Sequence, residues 1–174
     1  MSIGSKLGAT PKAKRQASHK PRNVCVVSEV EFGSISTADP GSATYALAQY
    51  LAVTGDTVTL LWVPIGLGKW CFDNFLVRLE LLPQSPELLR GLDSSDKHSV
   101  AVYHYLKQNA YDVVYFALEG GLAHFPTVAK RTGVFPDPPA IVVLAHEPLV
   151  WKLQANGRAV ERKEQMTIAH MERT

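Results

Sequence analysis

The sequence predicts an α/β, Rossmann-like three-layer sandwich with a mostly parallel sheet. Three observations carry that expectation. Short, nearly continuous apolar runs rich in Val, Leu and Ile recur along the chain, as strands buried on both faces do. Segments of helical spacing separate them, so strand and helix alternate. The chain has 174 residues, 46% hydrophobic and 20% charged, which suits one ordinary domain with a real core.

The elements follow in order. Asn23-Val24-Cys25-Val26-Val27-Ser28 is the first strand, and a polar loop with Gly33, Asp39, Pro40 and Gly41 leaves it. Ser42–Val53 is a helix with Tyr45 or Ala46, Leu47, Tyr50 and Leu51 at inner spacing, stopped by Gly55. Thr57–Val63 and Phe75–Leu82 are the second and third strands, and Ser94 or Ser95 caps a helix reaching about Asn109. Its inner side is expected to hold Val100, Tyr103 and Leu106 or Lys107. Tyr111–Ala117 is the fourth strand. Gly120 and Gly121 open a helix to Arg131, closed by Gly133. Ala140–Ala145 is the fifth strand, and Arg158–Arg173 a polar helix with Met166, Ile168 or Ala169 and Met171 as its apolar contacts. Val26, Val58, Leu60, Val113, Val114, Ile141 and Val143 are the expected core, each contributing ~1.5–3 kcal/mol if fully buried, before ordering entropy is charged.

Charge divides the chain. Residues 1–22 hold Lys6, Lys12, Lys14, Arg15, Lys20 and Arg22 and no acid, which reads as a flexible, solvated tail, or else one that touches nucleic acid or anionic lipid, ahead of a domain spanning 23–174. The remaining 12 basic residues face 16 acidic ones, a balance of −4. A nucleic-acid-binding body carries its positive charge on the fold, so nucleic acid is not expected as a partner. No apolar run reaches the ~18–20 residues that cross a bilayer, so no transmembrane segment is expected. Cys25 and Cys71 form no CxxC and have no nearby His pair, so no metal site is expected. Cys25, inside an apolar run, is expected to be a buried small residue, and a reduced, cytoplasmic setting is the default.

In open α/β sheets ligands bind beyond the carboxyl ends of the strands. Three segments there carry more than a turn needs. Pro40-Gly41-Ser42 begins a helix. Two readings fit it: free N–H groups that hold a phosphate, or a plain start capped by Ser42. No GxGxxG follows the first strand, which disfavours a nicotinamide cofactor, and Gly66-Leu67-Gly68-Lys69 fails the phosphate-loop pattern. Glu119-Gly120-Gly121 allows close backbone approach but is also an ordinary tight turn. His146 directly ends the fifth strand, where a histidine either touches ligand or merely closes the strand. Trp151 either stacks on a sugar face or plugs the domain edge. The remaining histidines, His19, His98, His104, His124 and His170, are scattered and mostly expected at the surface.

These segments, in this order, resemble the amino-terminal domain of glycosyltransferase family 4, the retaining GT-B enzymes that include glycogen- and sucrose-type synthases. The resemblance is carried by Pro40-Gly41-Ser42 through Ala46-Leu47-Ala48, Leu51-Ala52 and Gly55-Asp56-Thr57-Val58. It continues in Tyr111-Asp112-Val113-Val114-Tyr115-Phe116, Glu119-Gly120-Gly121, His146-Glu147-Pro148-Leu149-Val150-Trp151 and Met171-Glu172-Arg173. Pro40 stands where the family has a first glycine, and Glu147 where it has a glycine after the histidine.

The resemblance implies transfer of a sugar from a nucleotide sugar to a sugar or glycan acceptor, with no other cofactor. It implies Gly41 by the donor diphosphate, His146 as the catalytic group by the transferring sugar, and Glu119, Gly120 and Trp151 around the acceptor. It places the main sugar-nucleotide site in a carboxyl-terminal GT-B domain beyond Thr174, so the chain alone is expected to transfer no sugar. A homo-oligomer is compatible with this. The competing expectation is a non-enzymatic Rossmann-like interaction module.

Overall fold

The computed structural model describes residues 20–29, 40–63, 76–83, 91–92, 94–145 and 148–173. Five strands, β1 (Asn23–Ser28), β2 (Thr57–Trp62), β3 (Val77–Leu81), β4 (Val113–Ala117) and β5 (Ala140–Leu144), form one sheet in the order β3-β2-β1-β4-β5. Every pairing is parallel. The helices are α1 (Pro40–Val53), α2 (Ser94–Gln108), α3 (His124–Arg131), α4 (Leu149–Ala155) and α5 (Lys163–Met171). The chain is therefore an α/β, Rossmann-like three-layer domain, as its sequence predicts. No helix among the described residues is long and apolar enough to cross a membrane.

The central strands β1, β2 and β4 are largely apolar because helices cover both of their faces. Ala48 and Leu51 of α1 pack on Val24, Val26, Val58 and Leu60 on one face. Ala101, Val102, Tyr105 and Leu106 of α2, with Leu122 and Ala129, pack on Cys25, Val27, Leu61 and Phe116 on the other. Cys25 is wholly buried and free, and burial pushes its thiol well above the ordinary range.

Two acids tie down the amino edge of the sheet. Asp56, almost wholly buried, accepts hydrogen bonds from the Arg22 backbone N–H at 3.0 Å and the Arg22 guanidinium at 2.7 Å. Asp112 accepts one from the Asn23 backbone N–H at 2.7 Å. Both lock the entry to β1, and Arg22, expected in the tail, is part of this clasp. Beneath α2 a polar chain links Glu80 to Tyr105 and Tyr105 to Tyr111, the two tyrosine hydroxyls lying 2.9 Å apart.

Several expectations are corrected. The helix expected from Gly120 does not start there. Gly120 and Gly121 take φ of 71° and 68°, the left-handed region, so a 3-10 turn over Glu119–Gly121 forms and α3 begins only at His124. The single helix expected over Arg158–Arg173 is α5 alone, preceded by the unexpected α4. The buried face of α1 is Thr44, Ala48 and Leu51, while Tyr50 is 67% exposed. The inner face of α2 holds Leu106 and the partly buried Tyr103 as expected, and adds the buried Ala101, Val102 and Tyr105. In α5, Ala169 and Met171 are buried but Met166 is exposed.

Of the expected core, Val26, Val58, Leu60, Val113 and Val114 are buried, but Ile141 is only partly so and Val143 is 41% exposed. The reason is position: β5 is an edge strand with β4 on one side only. The opposite edge, β3, carries the Arg78–Glu80 ion pair at 2.6 Å, a charged guard of the kind edge strands use. β5 carries no charge.

Candidate functional site

The order β3-β2-β1-β4-β5 reverses direction between β1 and β4. At such a switch point the segments leaving the two strands part to opposite faces and open a crevice at the carboxyl edge. Parallel pairing places the ends of all five strands on that edge, and α1, returning from β1 to β2, begins there.

Two short segments fill the crevice. Glu29 follows Ser28, the last residue of β1, and the Glu119–Gly121 turn follows β4. The Glu29 carboxylate lies against Gly120, where any Cβ would collide with it. Gly120 is thus a glycine for two independent reasons, its positive φ and this close approach. The next residue, Gly121, supports α5: a Cβ there would stand 2.5 Å from the Met171 Cβ.

The turn is held from below. Leu122 is fully buried, and the Ser99 hydroxyl of α2 donates to its carbonyl at 3.0 Å while accepting from the Phe125 N–H at 3.0 Å. The Leu118 N–H donates to the Leu144 carbonyl at 3.1 Å, which joins the turn to the end of β5. From the side, α5 packs on the turn, on α2 and on α4. Glu172, just past α5, accepts the Leu149 backbone N–H at 2.7 Å and so satisfies a free donor at the start of α4.

The structure brings together three of the segments singled out in the sequence: Glu119-Gly120-Gly121, the Pro148–Trp151 stretch and Met171-Glu172. Glu119 opens the turn and Gly120 forms its floor. Trp151 lies in the first turn of α4 and is 65% exposed, so its ring faces solvent and does not plug the domain edge. Gly41 is the second residue of α1, at the helix end on the carboxyl edge. His146 lies outside the described residues.

Glu29 is the residue that sequence reasoning missed. Its signal was available: an acid placed directly at the end of a strand buried on both faces. Glu172 was noted only as part of a resemblance, and its bond to Leu149 spans 23 residues, which no local pattern reveals. An open groove of about 440 Å³ lies beside α4, lined by Val150, Gln154, Gly157, Arg158, Ala159 and Val160. It contains none of the predicted site residues. Among the described residues, no group of three or more His, Cys, Asp or Glu side chains is placed to hold a metal ion.

Fold and rim together define a Rossmann-like α/β domain whose switch point is lined by a carboxylate and paired glycines. No protein-family model and no curated protein matches this chain.

Proposed function

We propose that this domain is the acceptor-binding half of a retaining glycosyltransferase, which moves a sugar from a nucleotide sugar to a sugar or glycan. The observation that carries the reading is the carboxylate of Glu29 lying over Gly120 at the switch point, beside the Glu119–Gly121 turn. A carboxylate repels a diphosphate but accepts hydrogen bonds from sugar hydroxyls. Such charge-assisted bonds are about twice as strong as neutral ones. The crevice therefore suits an acceptor sugar. Trp151, exposed on α4, offers an aromatic face for a sugar ring. In this proposal Gly41 faces the donor diphosphate and His146 the transferring sugar, while a second domain supplies the main nucleotide site.

Titration calorimetry with a maltooligosaccharide, followed by a transfer assay with UDP-glucose and ADP-glucose, tests the reading. The chain should bind the glycan, and Glu29→Gln should weaken binding about tenfold, the loss of one hydrogen bond to a charged group. The chain alone should transfer no sugar. Turnover by the isolated chain, or glycan binding indifferent to both Glu29→Gln and Trp151→Ala, would overturn it.

The β5 edge, unpaired among the described residues and with Val143 41% exposed, favours a second reading as an interaction module without catalysis. That reading expects no glycan binding at the crevice and loss of protein association on Val143→Lys.

A further inference from the structure

Helix α5 closes over the Glu119–Gly121 turn, and one of its contacts differs in kind from the rest. Ala169 and Met171 are apolar and buried. His170 in the last turn of α5 instead meets His124, the first residue of α3, with ring centroids 5.9 Å apart and planes tilted by 60°. Phe125 stands edge-on to His124 at 5.1 Å. Among the groups acting on His124, Asp96 on α2 favours its cation and His170 on α5 opposes it. Beside Asp96, Lys97 opposes protonation of its neighbour His98. Lys163, Glu164 and Glu172 are further charged groups on and just beyond α5, with Glu172 bonded to Leu149.

We propose that the His124–His170 contact makes the seat of α5 acid-sensitive: a proton taken up by His124 sets a cation at the α3–α5 boundary, against His170, and releases α5 with α4 from the Glu119–Gly121 turn. This device opens and closes the crevice rim whatever the crevice binds, so it stands apart from the sugar-transfer reading.

Three physical arguments support it. His124 begins α3, where the N–H groups present the positive end of the helix and disfavour an imidazolium. Burial, and then His170, hold His124 below the ordinary imidazole value despite Asp96, and burial with Lys97 lowers His98 in the same direction. A histidine that binds its proton more weakly in the folded chain takes up protons on opening. Stability is then complete above the ordinary value near ~6.5 and declines as pH falls through it. Histidine is the side chain whose unperturbed titration lies in that range. A single histidine proton bound only on opening changes the opening equilibrium by at most about tenfold for each pH unit below the ordinary value.

Hydrogen exchange of the full chain read by mass spectrometry, corrected for the intrinsic effect of pH, tests this at pH 7.5 and 5.5. Protection over 149–171 should fall roughly five- to tenfold in acid while β1, β2 and β4 stay protected. His124→Gln and His170→Gln should each keep α5 protected at the lower pH. Equal protection of 149–171 at both values in the unmodified chain would overturn the proposal. So would an acid loss that persists in both variants.

Discussion

Gly121→Ala is expected to destabilise the domain by about 2–5 kcal/mol and to unseat α5. The backbone there has φ of 68°, a conformation that costs an L-residue about 1–2 kcal/mol. The new Cβ would also stand 2.5 Å from the Met171 Cβ, which sits next to helix backbone and cannot swing aside. Overpacking of this kind costs about 1–3 kcal/mol more. Gly120→Ala is the informative comparison. It carries a similar backbone cost at φ of 71°, but its obstacle is the far end of the flexible Glu29 side chain. Gly120→Ala should therefore cost less stability while displacing the crevice carboxylate. Urea unfolding of both variants, with circular dichroism to follow helix content, checks the order. A Gly121→Ala chain as stable as the unmodified one would mean that α5 does not rest on this turn.

Phe116→Ala is expected to cost about 3–5 kcal/mol, the range for removing a large buried aromatic. Phe116 is among the largest fully buried side chains, in the second-to-last position of β4, and it packs in the cluster beneath α2 and α3. Domains of this kind hold only about 5–15 kcal/mol in total, so the melting temperature should fall by about 10–15 °C. Val143 pairs with Phe116 across the β4–β5 ladder but is 41% exposed. Val143→Ala should cost under about 1 kcal/mol, because little apolar surface is lost from the core. Two residues in one register row thus report whether β5 is an edge. Equal costs for the two substitutions would contradict the strand order.

This contrast also marks what the sequence makes legible. The strands of the sheet centre are readable because burial on both faces forces a continuous apolar run, as in Val24–Val27 and Leu60–Trp62. The run Ala140–Leu144 is equally apolar, yet its exposure is set by its place in the sheet, which local sequence does not encode. The faces of α1 and α2 are legible only in part, for a related reason: Tyr45, Leu47, Leu51, Tyr103 and Leu106 pack inward as expected, whereas Tyr50 does not. Tyr45, Leu47, Tyr50 and Leu51 in one, and Val100 through Leu106 in the other, spread apolar residues around much of the helix, so spacing alone picks no single side. Helix α4 was missed because it is seven residues long and is fixed by Glu172 from far along the chain.

The motifs divide by role in the same way. Asp56 and Asp112, the acids of two of the more distinctive segments, bind the entry of β1 at the amino edge. They explain folding, not chemistry. Glu119-Gly120-Gly121, Leu149 and Met171-Glu172 gather at the carboxyl edge with Glu29, where the proposed acceptor crevice lies. The glycines were legible as close-approach positions, whereas the carboxylate they admit was not.

Proton–nitrogen correlation spectra of the chain titrated with a maltooligosaccharide bear most directly on the proposed acceptor crevice. The largest amide shifts should fall on Glu29, Gly120, Gly121 and Leu149, with Arg22, Asn23 and Asp112 at the opposite edge unmoved. Shifts confined to that opposite edge, or none at the crevice at saturating glycan, would contradict it.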